Sequence, residues 1–257
     1  MLLPKLWLFI TSFLCATVLL SSCGDKDNSS PATETGTLDL EMEHIVGTQA
    51  LELNRATPYT TTAGDQFKVT TFNYYISNIK LKKADGTEYV QPDSYYLVKE
   101  SIANSKRLTL DKIPVGDYTG ITFTIGVDSA RNVAGAQMGA LDPSNNMFWD
   151  WNSGYIFLKM EGTSDQAPSK SLIFHVGGFK KPYNAIRTVS PSLNGKTVLV
   201  RTDHSPEMHF HVDLLKLFTG IRFADASSNS HSAGPSAVRI ADNYAAGMFT
   251  VDHIHAN

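Results

Sequence analysis

The chain has 257 residues, a formal net charge of −3 at neutral pH and two cysteines, Cys15 and Cys23. This length suffices for one large domain or two small ones, and the lack of a basic excess argues against nucleic acid as a partner. Without a polybasic face, contact with a membrane would have to come from acyl chains.

Residues 1–22 are typical of a lipoprotein signal peptide. Lys5 precedes an apolar stretch over residues 6–20, and Leu-Ser-Ser-Cys at residues 20–23 resembles a bacterial lipobox. Cys23 would then carry the lipid, which predicts a lipid-anchored protein of the outer membrane or cell surface, with the periplasmic face as a further option. The apolar stretch is short for a spanning anchor. Since Cys15 would be removed, no thiol would remain for a disulfide or for catalysis.

Residues 23–36 are polar and rich in Ser, Asp and Pro, which predicts a flexible tether. Neither an internal repeat nor a change of composition follows. Residues 37–257 are therefore predicted to form a single domain.

Residues 37–44 alternate between apolar and polar side chains, as a half-buried strand does. His44 continues the apolar face formed by Leu38, Leu40 and Met42. A buried imidazole must find a hydrogen-bond partner or a metal ion. The ordinary partner is a backbone carbonyl, and the sequence leaves both outcomes open.

Short strands with turn signals between them dominate the next part of the chain. They are predicted over residues 66–72, 73–82, 95–99, 107–110 and 118–127. We therefore expect an all-β fold, a single antiparallel β-sandwich of immunoglobulin-like or jelly-roll-like type, with long loops and one or two short helices.

A long loop of small residues, 126–146, leads into two tryptophans, Trp149 and Trp151, which would share one face of a strand. Such a pair either packs in the core or forms the wall of a site. A loop of this length is usually functional or disordered, and its position before the tryptophans favours function. Asp128 and Arg131 are predicted to pair or to hold this loop.

Histidines mark the last third of the chain. The apolar alternation over residues 172–176 predicts that His175 lies on the opposite face of its strand. His-x-His occurs at residues 209–211 and again at His253 and His255, and on a strand this spacing projects both imidazoles from one face, as in many metal sites. A solvated face, or a frayed terminus for the second pair, is the alternative. Imidazoles without thiolates favour copper over zinc.

Motifs for other chemistry are missing from the sequence. It has no Gly-x-Ser-x-Gly elbow, no phosphate-binding loop and no dinucleotide fingerprint. Nucleophilic catalysis is therefore poorly supported. A pair of carboxylates for glycoside hydrolysis stays open, although nothing in the sequence singles one out.

Four segments together resemble the MbnP-like copper-binding family: residues 73–79, 126–129, 147–155 and 174–177. The paired tryptophans followed by Gly-Tyr are the most specific of them. The resemblance implies a secreted β-sandwich that binds copper, in several members with a tryptophan oxidised to kynurenine near or on the metal. It also implies a partner that performs this oxidation, a dihaem protein of the MauG/cytochrome c peroxidase type.

Carried over to this chain, the resemblance makes Trp151 or Trp149 the modified residue, with Trp151 preferred, and His175 a metal ligand. Proteobacterial members tend to carry Asn-His before the tryptophans, where this chain has Asn132-Val133. His44 is the first candidate to replace that ligand, and His253 or His255 the next. The rival interpretation is a surface adhesion module without metal, whose loop and tryptophans bind a carbohydrate or a peptide.

Overall fold

The computed structural model describes residues 33–257 except 136, 151–153, 226–228 and 256–257. These described residues contain fifteen strands. In chain order they are β1 (Thr35–Val46), β2 (Gln49–Ala50), β3 (Tyr59–Thr60), β4 (Gln66–Lys83), β5 (Glu88–Val90), β6 (Tyr95–Lys99), β7 (Arg107–Pro114), β8 (Gly116–Ile125), β9 (Phe148–Trp149), β10 (Gly154–Thr163), β11 (Ser171–Gly177), β12 (Arg187–Val189), β13 (Val198–Val200), β14 (Glu207–Asp213) and β15 (Phe249–His255).

The first sheet has the order β15-β14-β1, and the other edge of β1 pairs with β7 and β2. All of these pairs are antiparallel except β1 with β14, which run parallel. The predicted all-β sandwich is therefore confirmed, but its first sheet is mixed. A parallel pair needs a long connection, and here nearly the whole domain lies between β1 and β14.

The second sheet has the order β11-β10-β4-β8-β12, with β4 at its centre. Shorter strands extend it: β3, β5 and β6 pair with β4, β13 pairs with β8, and β9 pairs with β10. The two strands predicted over residues 66–82 are one continuous strand, β4. Tyr74, Tyr75 and Ile76 are all fully buried, so both faces of β4 are covered.

The hydrophobic core lies between the two sheets. Phe210 and Phe249 from the first sheet contact Phe123 from the second, with ring centroids 5.9 and 5.3 Å apart. The ring centroids of Tyr74 and Phe249 lie 5.5 Å apart in the same core layer between the sheets. These edge-to-face contacts hold the sheets together.

Helices are short and lie outside the sheets. Helix α1 (Ser129–Asn132) lies within the predicted long loop, and a 3-10 helix (Leu214–Phe218) ends two residues before Gly220. Helix α2 (Pro235–Ala245) was not predicted. It buries Ile240 and Tyr244, and the Tyr244 hydroxyl donates to Ala185 O at 2.7 Å.

Residues 1–32, which include the predicted signal peptide, Cys23 and most of the predicted tether, lie outside the described residues. β1 begins at Thr35, two residues before the predicted start of the domain. Within the described part of the chain, none of the helices combines the length and apolar character needed to cross a bilayer.

Candidate functional site

Trp149 lies in β9, which pairs with the start of β10. Its side chain is buried, and its six-membered ring lies over Gly177 at the end of β11. A Cβ atom at Gly177 would come within 2.7 Å of Trp149 Cζ3 and 2.5 Å of Tyr155 O. The indole therefore occupies space that only a glycine leaves open. Trp151 lies outside the described residues.

His175 lies on the same face of β11 as Gly177, because alternate residues of a strand point the same way. Two residues along a strand span roughly 6.6 Å, so the indole of Trp149 packs against the end of the strand that carries His175. His231 adds a second imidazole, with its ring centroid 6.2 Å from that of His175. Trp149 thus contacts the strand that carries His175, and the assignment of both residues to a copper site stays a prediction.

A carboxylate orients the His175 ring. Nε2 of His175 lies 2.7 Å from Oε1 of Glu161 on the adjacent strand β10. Burial lowers the pKa of His175, and the bond to Glu161 offsets this only in part. Burial also opposes the Glu161 carboxylate, but hydrogen bonds from His175 and Thr71 keep its pKa below the usual range. A neutral His175 that donates from Nε2 presents the lone pair of Nδ1 to a ligand.

A cleft of about 650 Å³ opens beside Trp149. Four aromatic residues line it, Phe148, Trp149, Phe179 and Tyr183, together with Asn132, Val133 and others. Asn132 ties the preceding loop to the sheet, since its Nδ2 donates to Val127 O at 2.7 Å and its Oδ1 accepts from Tyr155 N at 3.0 Å. Val133, at the position where a histidine ligand was expected, is 67% exposed.

Asp128 and Arg131 hold this loop through different partners. The Asp128 carboxylate caps α1 by accepting from the backbone N–H groups of Ala130 and Arg131, and it accepts a hydrogen bond from the Tyr95 hydroxyl. Arg131 pairs with Asp93 at 2.8 Å, and its guanidinium lies over the Tyr95 ring. Both residues thus fix the approach to the cleft.

His44 points into the core, as the alternation predicted, and is 4% exposed. Its Nδ1 lies 2.5 Å from Glu100 Oε2, and its Nε2 lies 2.9 Å from the Tyr74 hydroxyl. A carboxylate and a phenol are therefore its partners, and not a backbone carbonyl. Because both ring nitrogens are engaged, binding a metal would require one of these bonds to break. The assignment of His44 as a metal ligand stays a prediction.

His253 and His255 come together with a third imidazole, His209. The ligand atoms of these three side chains lie within 4.8 Å of one another on the outer face of the first sheet. A second group of three, Glu41, Glu207 and His209, adjoins it. Among the described residues no other group meets this geometry, and neither His44 nor His175 belongs to one.

Sequence reasoning missed three partners of these sites. Glu161 and His231 join His175 only through strand pairing and a loop contact, for which the sequence holds no local signal. His209 was noticed as part of a His-x-His pair, but its partners were not. A signal existed, since both His-x-His pairs lie on strands and adjacent strands would bring them together.

Comparisons with known proteins agree with this fold. A sequence model of the MbnP family matches residues 35–233. A solved structure, described as MbnP from Methylosinus trichosporium, superposes with a TM-score of 0.51 at 15% identity, covering 79% of this chain and 83% of that chain. At this identity the likeness concerns the fold alone. A search of curated proteins found no match.

Proposed function

This chain belongs to the MbnP family, and on that premise we propose that it is a copper-binding lipoprotein of the cell envelope. The observation that supports the proposal most directly is that Trp149 packs on Gly177, two residues from His175 in β11, beside an open cleft. The protein handles copper by binding it, and does not act on a diffusing substrate.

The residues of this face fit a copper ion. His175 offers a neutral nitrogen that Glu161 orients, as carboxylates commonly do for metal-binding histidines. An unmodified indole offers only an N–H donor, so a tryptophan on this face needs chemical change before it binds metal. Conversion of Trp149 or Trp151 to kynurenine supplies an aniline nitrogen and a ketone oxygen. Imidazole and aniline nitrogens suit copper.

A dihaem protein of the MauG/cytochrome c peroxidase type is the proposed partner for that conversion. Two molecules of hydrogen peroxide, reduced to water at the haems, open the C2–C3 bond of the indole and leave two oxygen atoms on the product. Hydrolysis then releases formate and leaves kynurenine, so one carbon is lost and one oxygen is gained overall. The open cleft beside Trp149 offers a route to the ring.

Peptide mass spectrometry tests this proposal. The protein is produced with and without a dihaem peroxidase-type partner, and the tryptic peptide 132–159, which contains both tryptophans, is analysed. Loss of one carbon and gain of one oxygen, only with the partner and together with bound copper, is the expected result. Trp149→Phe and Trp151→Phe identify the modified ring. Unmodified tryptophans and copper-free protein in the presence of the partner would overturn the proposal.

A second candidate function rests on the aromatic lining of the cleft. Phe148, Trp149, Phe179 and Tyr183 could stack on a carbohydrate or an apolar peptide, with Lys180 and Lys181 at the edge. A surface adhesion module of this kind needs neither metal nor modification. Binding of a glycan or peptide by protein with unmodified tryptophans, abolished in Trp149→Ala, would support it over copper binding.

A further inference from the structure

Three histidines converge on the outer face of the first sheet, at the edge formed by β14 and β15. His209 of β14 lies directly opposite His253 of β15, and the regular antiparallel register places His255 opposite Glu207. The rings of His209 and His253 are stacked with centroids 4.3 Å apart, and the His255 ring lies 4.7 Å from each. Such a cluster of imidazoles is mutually repulsive when protonated and favourable around a cation.

The His209 ring has a nitrogen with no hydrogen-bond partner. Its Nε2 is buried, and it makes no hydrogen bond within the described part of the chain. Buried polar atoms of this kind ordinarily have a partner, and the lone pair of a neutral imidazole is a metal ligand.

The surroundings resemble those of a metal site. The Asp252 carboxylate bonds Nδ1 of His253 and so turns Nε2 of that ring outward, an arrangement typical of metal-binding histidines. Glu207 Oε1 lies 3.6 Å from His209 Nε2 and offers a metal an oxygen ligand next to the three imidazole nitrogens. Arg107 pairs with Asp39, Glu41 and Glu207 and offsets part of their negative charge.

We propose that His209, His253 and His255 form a binding site for a divalent first-row transition-metal ion, separate from the face that carries Trp149. Three imidazoles with a carboxylate or water as a fourth ligand form an open nitrogen-rich site. Cu²⁺ binds such ligands more tightly than Zn²⁺ in the usual order of stabilities. This site needs no tryptophan modification and no dihaem partner, so it stands or falls independently of the proposed function.

The test is calorimetric titration of Cu²⁺, and separately of Zn²⁺, into the detergent-purified protein made without a dihaem partner. His209→Ala, His253→Ala and His255→Ala should each weaken Cu²⁺ binding by more than the roughly 10–100-fold that loss of a supporting carboxylate costs. Asp252→Asn should weaken Cu²⁺ binding by an amount within that 10–100-fold range (roughly).

His211→Ala is the matched control. His211 lies on the same face of the same strand, two residues from His209, but outside the three-histidine group. The His211→Ala variant should leave the Cu²⁺ affinity unchanged. Circular dichroism should show all four histidine variants folded, since none of these four histidine side chains is fully buried. With bound Cu²⁺, electron paramagnetic resonance should show hyperfine coupling to imidazole nitrogens. Failure of the wild type to bind either ion, or equal binding by His211→Ala and His253→Ala at any level, would overturn the proposal.

Discussion

The indole of Trp149 lies against the backbone of Gly177, close enough that a single methyl group at residue 177 would collide with it. The contact joins the hairpin of β9 and β10 to the strand that carries His175. It therefore sets the position of one proposed copper-site residue relative to another.

Gly177→Ala should displace the indole and lower the free energy of unfolding by about 1–3 kcal/mol, the usual cost of overpacking. Urea denaturation gives the stability, and a red shift of tryptophan emission reports the displaced ring. Gly120→Ala is the control, because a Cβ there makes only an ordinary contact of 3.6 Å with Lys82. Equal stability and emission in both variants would mean that Trp149 does not depend on Gly177.

His44→Ala removes partners from Glu100 and Tyr74 inside the core. Leaving such groups unsatisfied should cost about 1–3 kcal/mol of stability. Because both ring nitrogens are already engaged, we expect the folded variant to keep the copper content of the wild type, measured by elemental analysis. His204→Ala, on a loop, serves as the control. Loss of copper from folded His44→Ala alone would place His44 among the ligands after all.

Asp65, which immediately precedes β4, pairs with Arg222 in the segment before α2, and only the carboxylate of this pair is buried. Asp65 is 1% exposed and accepts from the Arg222 guanidinium at 3.0 Å and from Phe223 N at 2.9 Å. Burial alone would raise the pKa of Asp65, but these hydrogen bonds outweigh it and hold the pKa below the ordinary 3.8. The contribution of Asp65 to the stability of the fold is therefore complete above pH 3.8, and it is lost as the pH falls through the lowered pKa of Asp65.

Asp65→Asn should lower the free energy of unfolding at pH 7 by about 1–3 kcal/mol and should flatten its decline between pH 4 and pH 2, the range (roughly) in which a lowered carboxyl pKa acts. Asp225→Asn, at an exposed position near Arg222, should change neither the stability at pH 7 nor its decline in acid. Urea titrations at several pH values provide the measurement. An acid decline as steep in Asp65→Asn as in the wild type would refute the assignment.

Cys23→Ser should release the protein from membranes, since the proposed lipid anchor is attached to that sulfur. Detergent partitioning and cell fractionation measure the change. Cys15→Ser is the control, because Cys15 lies within the proposed signal peptide and should be removed with it. Equal membrane association of both variants would contradict lipidation at Cys23.

Local alternation predicted the orientation of single side chains well. His44 points inward with Leu38 and Leu40, and His175 points away from Phe174, as the burial of β1 and β11 confirms. Periodicity carries this information because each strand has one covered face.

Pairing between distant segments could not be predicted. The parallel contact of β1 with β14, the approach of Trp149 to Gly177 and the meeting of His209 with His253 all depend on strand order and register. A shift of one residue in β15 would send His253 to the opposite face. Helix α2 was missed because the serine-rich stretch before it predicts a loop.

The central claim is that copper is held on the face shared by Trp149 and His175. The most direct test measures copper in a His253→Ala, His255→Ala background, co-produced with a dihaem peroxidase-type partner, so that the three-histidine site contributes nothing. Stoichiometric copper that is lost on further His175→Ala substitution, and retained with His204→Ala, is the predicted result. Absence of copper from the parent variant, or copper that persists without His175, would contradict the claim.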